Sequence, residues 1–344
     1  MRFPSNRATG LVALVASAAL ALSACGGDDD DSTADSGSTG GDLTVTFLPK
    51  NLGNPYFDTS NAGGEAAVEE LGGTFEEVGP QEASPDAQVQ YIDTAAQQGV
   101  SALVVSANDP TAICDSLNQA RDAGTKVVTF DSDTDPECRD LFINQATAEG
   151  IAKVQVDLIA EQIGDAGEIA ILSATANATN QNAWIEMMEA ELAANHPNIQ
   201  LVDTVYGDDD DQKSFDQTAA LLQSHPNLNG IISPTTVGVA AAARYLSDSD
   251  FKGTVALTGL GTPNQMREYI DDGTVTSFAL WNPEDLGYLA AFAAAALVNG
   301  DITGEEGDTF EAGRLGEYTV DADATVFLGD PFVFDASNIG DFNF

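Results

Sequence analysis

The chain has 344 residues, of which 43% are hydrophobic, and a formal net charge of −43 at neutral pH. A surface this acidic repels nucleic acid and anionic lipid headgroups, which argues against both as partners. The length exceeds that of a usual single hydrophobic core and predicts two lobes.

The N-terminal segment has the pattern of a secretory signal. Arg2 and Arg7 form a basic region, and residues 11–22 (LVALVASAALAL) carry no charge. An apolar run of this length is too short for an ordinary membrane span but suits a signal peptide. We therefore expect the chain to leave the cytoplasm.

A cysteine follows the apolar run. Leu22-Ser23-Ala24-Cys25 resembles the lipobox of bacterial lipoproteins. The resemblance implies cleavage of residues 1–24, a lipid on Cys25, and attachment to the outer face of the cell membrane by that lipid alone. The alternative is a plain signal peptide. Cleavage removes two basic residues and no acidic one, which leaves a charge of −45.

Residues 25–41 are mostly Asp, Ser, Thr and Gly. Such a segment has too few apolar residues for their burial to offset the entropy lost on ordering, so we expect a flexible acidic tether. We expect the fold to begin near Asp42.

The first half of the remaining chain alternates short β-branched runs with longer helical ones, which is typical of right-handed βαβ units and a parallel sheet. The pattern predicts strands at 43–47, 74–78, 102–106 and 126–130, and helices at 54–71, 85–98 and 111–123.

After a predicted link at 141–145 the alternation starts again, which favours an α/β fold of two doubly wound parallel-sheet lobes. It predicts helices at 148–163, 181–194, 212–223, 237–246 and 264–270, and strands at 168–172, 200–205, 230–233, 254–258 and 275–280. Ligands of such sheets bind outside the carboxyl ends of the strands.

Cys114 and Cys138 are the cysteines that remain after Cys25. In an oxidising compartment they favour a disulfide, with two buried free thiols as the alternative. The chain has no CxxC spacing, and His196 and His225 each precede a proline. The sequence therefore lacks the residue patterns of a zinc site and of a Ser-His-Asp triad, and we expect no metal.

The first strand is followed by PKNLGNPYF, which contains neither a G-x-G-x-x-G sequence nor a Walker lysine. We expect no nucleotide and no other cofactor. The four acids Asp208–Asp211 lack the glycine and terminal glutamate of a calcium-binding EF-hand loop. We interpret them as a solvated loop that leads into the helix at Gln212.

Several motifs that follow predicted strands resemble known proteins. NPYF at 54–57, FDSD at 130–133 and GTP at 261–263 are similar to the type I periplasmic sugar-binding proteins. More closely, PKNLGNPYF at 49–57, INQA at 143–146, ATNQNAW at 178–184 and SPTT at 233–236 resemble the rhamnose-binding subgroup, a relative of the autoinducer-2 receptors.

The resemblance implies two lobes, residues 42–143 plus 282–325 and residues 144–281 plus 326–344, joined by a three-strand hinge that closes on the ligand. It implies ABC transporter permease subunits as partners, and we expect a monomer. It places polar and proline contacts to the ligand at Lys50, Asn54, Asp131, Asn180, Gln181, Pro234 and Thr236. Apolar cover for a sugar ring would come from Tyr56, Phe57, Trp184 and Trp281.

Amides and carboxylates each pair with two hydroxyls, and aromatic rings cover the apolar faces of a sugar, so these residue types suit a monosaccharide. Simpler readings exist for each. Asp131 would merely cap a turn, Lys50 would pair with a nearby carboxylate, and Asn180 would cap a helix. Trp184 and Phe57 would belong to the core.

Departures from the family's patterns bear on the ligand. Autoinducer-2 receptors typically have an acidic residue at the position of Asn180 and Pro-Asp-Ala at the positions 234–236, which favours a neutral sugar here. Ribose-type proteins usually have Asp at the position of Gly261 and Gln at that of Trp281, which argues against a ribose pocket.

The resulting hypothesis is a binding protein of an ABC importer for a rhamnose-like monosaccharide, with an autoinducer-2 or other pentose or hexose receptor as the alternative. We expect no catalytic activity. A glycosidase needs two carboxylates at the scissile bond, and Asp131 has no evident acidic partner in the sequence.

Overall fold

The computed structural model describes residues 43–344. The predicted signal peptide at 1–24, the lipidation site Cys25 and the tether at 25–41 lie outside the described residues. In the part of the chain that the structure describes, no helix has the length and apolar character to cross a membrane.

The first sheet has six strands, all parallel, in the spatial order β2-β1-β3-β4-β5-β13. Its inner strands are buried at nearly every position because helices cover both faces of the sheet. With strands numbered in chain order, they are β1 Thr44–Leu48, β2 Thr74–Glu77, β3 Ala102–Val105, β4 Lys126–Phe130, β5 Leu141–Asn144 and β13 Thr325–Phe327.

Four helices belong to this sheet: α1 Pro55–Glu70, α2 Pro85–Gln98, α3 Cys114–Asp122 and α9 Pro283–Asn299. The last of them returns from the far end of the chain to pack against α1, β3, β4 and β5.

The second sheet has four parallel strands in the order β7-β6-β8-β9. They are β6 Gly167–Ser173, β7 Ile199–Tyr206, β8 Leu228–Ser233 and β9 Ala256–Gly259. Its helices are α4 Ala148–Ile163, α5 Thr179–Asn195, α6 Asp211–Ser224, α7 Thr236–Ser247 and α8 Pro263–Asp271.

Two antiparallel pairs complete the fold. Strand β10, Ser277–Leu280, continues the second sheet beside β9 through a bridge between Ala279 and Leu260, and pairs with β14, Phe332–Asp335. Strands β11, Thr309–Glu311, and β12, Glu317–Thr319, form a hairpin. The chain thus passes between the sheets three times, after β5, after β10 and after β13.

Helices α1 and α9 approach each other through glycines. A Cβ atom on Gly63 would lie 1.9 Å from the carbonyl oxygen of Glu284, and one on Gly287 would lie 1.7 Å from that of Ser60. No larger residue fits at either position, so these two glycines let α9 dock on the first sheet.

A disulfide links Cys114, the first residue of α3, to Cys138 in the short 3₁₀ turn Pro136–Cys138. The two Cα atoms are 5.2 Å apart, within the range of ordinary disulfides, and Cys138 is buried. The bond ties a helix of the first sheet to the loop that follows β4.

The fold class is confirmed, and the predicted strands and helices appear within a few residues of their expected positions. The link predicted at 141–145 is wrong, because residues 141–144 form β5 between β4 and β13. The pattern did not predict α9, which is buried on nearly every face and so lacks an amphipathic period. Strands β11–β14 were also missed, since three- and four-residue strands carry little pattern of their own.

Candidate ligand-binding site

A cavity lies where the carboxyl ends of the strands of both sheets meet, which is the usual place for a ligand in folds of this kind. Every predicted ligand residue except Asn180 lines it. The complete lining is Lys50, Asn54, Tyr56, Phe57, Asp131, Gln181, Trp184, Asp209, Pro234, Thr235, Thr236, Leu260, Leu280 and Trp281.

Asp131 follows β4 and is buried, and its carboxylate accepts hydrogen bonds from side chains rather than from a turn. The Tyr56 hydroxyl donates to Oδ1 at 3.0 Å, and the Ser106 hydroxyl donates to Oδ2 at 2.9 Å. Burial raises the pKa of Asp131, and the Lys50 charge and the two hydroxyl bonds partly oppose that rise. Asp131 is therefore not only the cap of a turn, because its carboxylate forms part of the cavity wall.

Lys50 follows β1 and bridges the two sheets. Its buried ammonium donates to the Oδ1 atom of Asn180 at 3.1 Å, so it contacts an amide and not a neighbouring carboxylate. The Asn180 amide nitrogen in turn reaches the carbonyl oxygen of Asp131 at 3.4 Å and its Oδ2 atom at 3.5 Å.

Asn180 is therefore buried behind the cavity wall and holds Lys50 and Asp131 in place. It is not the N-cap of α5, because that position belongs to Ala178. Asn54, in contrast, does cap its helix: its Oδ1 atom accepts from the backbone N–H of Tyr56 at 3.1 Å at the start of α1.

The aromatic residues form one connected wall. The Trp281 indole N–H donates to the Tyr56 hydroxyl at 2.9 Å, and the rings of Trp281 and Trp184 meet edge to face, 6.0 Å apart. Burial, followed by the charge of Asp131, raises the pKa of Tyr56 well above its usual value, so this hydroxyl keeps its proton. Phe57 and Trp184 are buried and also line the cavity, so they belong to the core and to the site together.

Gln181 lies beside Asn180 in the first turn of α5. Its Oε1 atom is buried and accepts no hydrogen bond within residues 43–344. Because buried polar atoms are normally paired, an acceptor of this kind in a cavity wall is available to a donor on a ligand.

Four lining residues were not predicted: Asp209, Thr235, Leu260 and Leu280. The interpretation of Asp208–Asp211 as a wholly solvated loop is wrong at Asp209. Its side chain faces the cavity and accepts from the Thr235 hydroxyl at 2.5 Å, and burial raises its pKa. Its place in the loop after β7 was a weak signal, since Asp131 lies in the corresponding loop after β4.

Asp209 also corrects a second expectation. Asp131 does have an acidic partner in the site, on the side of the other sheet. The site contains two carboxylates, so the number of carboxylates does not exclude a glycosidase.

The sequence and the fold both have close counterparts. A model of the periplasmic binding protein domain matches residues 45–302. A structure described as a sugar ABC transporter, from Actinomyces odontolyticus, is 55% identical, with 88% of this chain and 98% of that chain covered and a TM-score of 0.72.

Two similar structures contain ligands. An ABC transporter solute-binding protein from Clostridium phytofermentas with bound L-rhamnose is 38% identical over 88% of this chain and 98% of that one, with a TM-score of 0.85. LsrB from Clostridium saccharobutylicum in complex with AI-2 is 27% identical over 88% of this chain and 100% of that one, with a TM-score of 0.84.

The chain belongs to the periplasmic binding protein family, with the type I fold of the sugar-binding proteins of ABC transporters. The family works outside the cytoplasm, and these relatives are binding proteins rather than enzymes.

Proposed function

We propose that this protein captures a rhamnose-like monosaccharide between its two lobes by hinge closure and delivers it to the permease of an ABC importer. One observation carries the proposal: polar groups from both sheets converge on one cavity whose other walls are aromatic and apolar. Lys50 and Asp131 come from the first sheet, and Gln181 and Asp209 come from the second. A polyol with an apolar ring face suits this lining.

A 6-deoxy sugar suits the apolar part of the wall in particular. Pro234, Leu260, Leu280 and Trp281 line the cavity without a charged group among them. A methyl group gains free energy when such a surface covers it, whereas the hydroxymethyl group of an ordinary hexose leaves a hydroxyl to be satisfied. The relative with bound L-rhamnose supports the same choice.

Hinge closure has support from a contact across the cavity. The buried Lys50 ammonium, which follows the first strand of one sheet, donates to the Asn180 amide on a helix of the other at 3.1 Å. We propose that the structure described here is the closed form, in which this contact is made.

The lobes of this proposal are residues 42–143 plus 282–325 and residues 144–281 plus 326–344. The hydrogen bond between Lys50 and Asn180 crosses from one to the other. We propose that the protein acts as a monomer, since one chain supplies both faces of the cavity.

We propose that lipid on Cys25 holds the mature protein at the outer face of the cell membrane. The support is the Leu22-Ser23-Ala24-Cys25 sequence behind an apolar run. Cys25→Ala should release the protein into the medium, while Cys114→Ala, which changes a cysteine of the fold, should leave it attached. Membrane fractions washed with salt decide it, and a Cys25→Ala variant that stays with the membrane contradicts the anchor.

The second candidate is an autoinducer-2 receptor, which the likeness to LsrB supports. The neutral Asn180 and the Thr236 hydroxyl favour the sugar, because the resemblance associates the autoinducer with an acidic residue and an alanine there.

A thermal-shift screen against L-rhamnose, other monosaccharides and AI-2 tests the proposal. A ligand that binds only the folded state raises the melting temperature with concentration. We expect the largest shift with L-rhamnose. A shift with AI-2 and none with any sugar would favour the second candidate.

A further inference from the structure

We infer that Asp209 is a second acidic ligand-binding residue, which accepts a hydrogen bond from a ligand hydroxyl on the side of the second lobe. The inference rests on the proposed function, because it assigns a role within the same cavity. It also narrows the ligand to a neutral molecule.

The environment of Asp209 leaves one carboxylate oxygen free for a ligand. Oδ1 accepts from the Thr235 hydroxyl at 2.5 Å, which fixes the orientation of the carboxylate in the cavity wall. Oδ2 accepts no hydrogen bond from any described residue. The neighbouring Asp208 instead points outwards and pairs with Lys213 on the surface.

Asp131 is placed differently. Both of its carboxylate oxygens already accept hydrogen bonds, from Tyr56 and from Ser106, and the Asn180 amide adds a longer contact. A carboxylate has about four lone-pair sites, so Asp131 keeps some capacity for a ligand. Asp209 can accept more hydrogen bonds from a ligand than Asp131 can. It also contacts fewer groups of the protein, so its replacement disturbs fewer of them.

The backbone at this point is held in an unusual conformation. Asp208 and Asp209 both have positive φ angles, 56° and 53°. Two consecutive left-handed residues turn the chain sharply between β7 and α6, and this turn carries the Asp209 side chain into the cavity while Asp208 stays outside. Asparagine tolerates the left-handed region as aspartate does, so an Asp→Asn change keeps the turn.

The charges of the lining restrict the ligand. With both carboxylates ionised, Asp131 and Asp209 supply two negative charges and Lys50 supplies one positive charge; no other lining residue is charged. A cavity with a net negative charge disfavours uronic acids, aldonic acids and sugar phosphates, because like charges repel strongly where water is excluded. A neutral sugar donates its hydroxyl hydrogens to both carboxylates without this cost.

The experiment compares Asp209→Asn and Asp209→Ala with the parent by calorimetry, with Asp208→Asn as the matched control. Removing a hydrogen bond to a charged acceptor costs roughly ten- to a hundredfold in affinity. We expect a loss in that range for Asp209→Ala, a smaller loss for Asp209→Asn, and affinity within twofold of the parent for Asp208→Asn. Melting temperatures check that each variant is folded.

The ligand side of the contact is tested with the 2-, 3- and 4-deoxy analogues of L-rhamnose. One analogue should lose affinity for the parent but bind Asp209→Ala as tightly as L-rhamnose does, because the contact is already missing there. Asp209 variants that bind L-rhamnose as tightly as the parent overturn the assignment while the proposed function stands. A parent that binds no monosaccharide overturns the proposed function, and this assignment with it.

Discussion

The ammonium of Lys50, after the first strand of one sheet, donates a hydrogen bond to the amide oxygen of Asn180, in the first turn of a helix on the other, at 3.1 Å. Both side chains are buried, and the same amide reaches Asp131. The contact joins the two sheets at the cavity, so in the proposed hinge closure it would form only in the closed form and would stabilise that form.

Asn180→Ala should weaken sugar binding although Asn180 does not line the cavity. The change removes one hydrogen bond between the lobes and leaves an N–H group of the buried Lys50 ammonium without an acceptor. A loss of about 1 to 2 kcal/mol is expected, or roughly five- to thirtyfold in affinity. Calorimetry measures it, with Asn195→Ala at the exposed end of the same helix as control. Equal effects of the two changes would remove Asn180 from the mechanism.

Asp131→Ala and Asp131→Asn should differ in stability. Asp131 has a φ angle of 62°, and a left-handed alanine costs roughly 1 to 2 kcal/mol. Alanine also leaves the buried hydroxyls of Tyr56 and Ser106 without their acceptor. Asparagine tolerates the backbone and keeps an acceptor. Thermal melts at neutral pH should place the alanine variant well below the asparagine variant; equal melting temperatures would contradict this account of the backbone.

The stability difference between Asp131→Asn and the parent should depend on pH. Burial raises the pKa of Asp131 in the folded protein above its unfolded value of about 3.9, so above the folded pKa the parent bears the cost of a buried charge. As the pH falls through the folded pKa towards the unfolded one, the folded protein takes up a proton and the cost disappears.

The asparagine variant carries no such charge. Its advantage in melting temperature should therefore be greatest near pH 7 and should shrink as the pH approaches 4. Melts of both proteins across this range measure it. An advantage that grows at acid pH would mean that the pKa of Asp131 is lowered rather than raised.

How far the sequence predicts the site depends on the residue. Lys50 and Asp131 each follow an apolar strand within a motif similar to known proteins, so their place at the carboxyl edge of a sheet was predictable. Asp209 was not, because it lies in a run of four acids that reads as solvent-exposed; only the turn formed by two left-handed residues separates its environment from that of Asp208. The role of Asn180 behind the wall depends on how two distant segments meet, which no local pattern contains.

The Cys114–Cys138 disulfide should stabilise the fold without changing the affinity for the ligand. It closes a loop with a sequence separation of 24 residues, which corresponds to about 3 kcal/mol in the chain-entropy model. Denaturant unfolding of a Cys114→Ser, Cys138→Ser double variant should show a loss of this order with unchanged sugar affinity. If mass spectrometry finds both thiols free in the oxidised parent, the bond does not form.

We propose that one monosaccharide binds between the lobes through the charged groups of the cavity. Calorimetric titration of L-rhamnose into the parent and into Asp131→Asn is the decisive measurement, because this variant keeps the fold while it removes the buried charge. We expect one binding site per chain in the parent and a loss of roughly tenfold or more in affinity in the variant. A parent that binds no monosaccharide, or a variant that binds L-rhamnose as tightly as the parent, would contradict it.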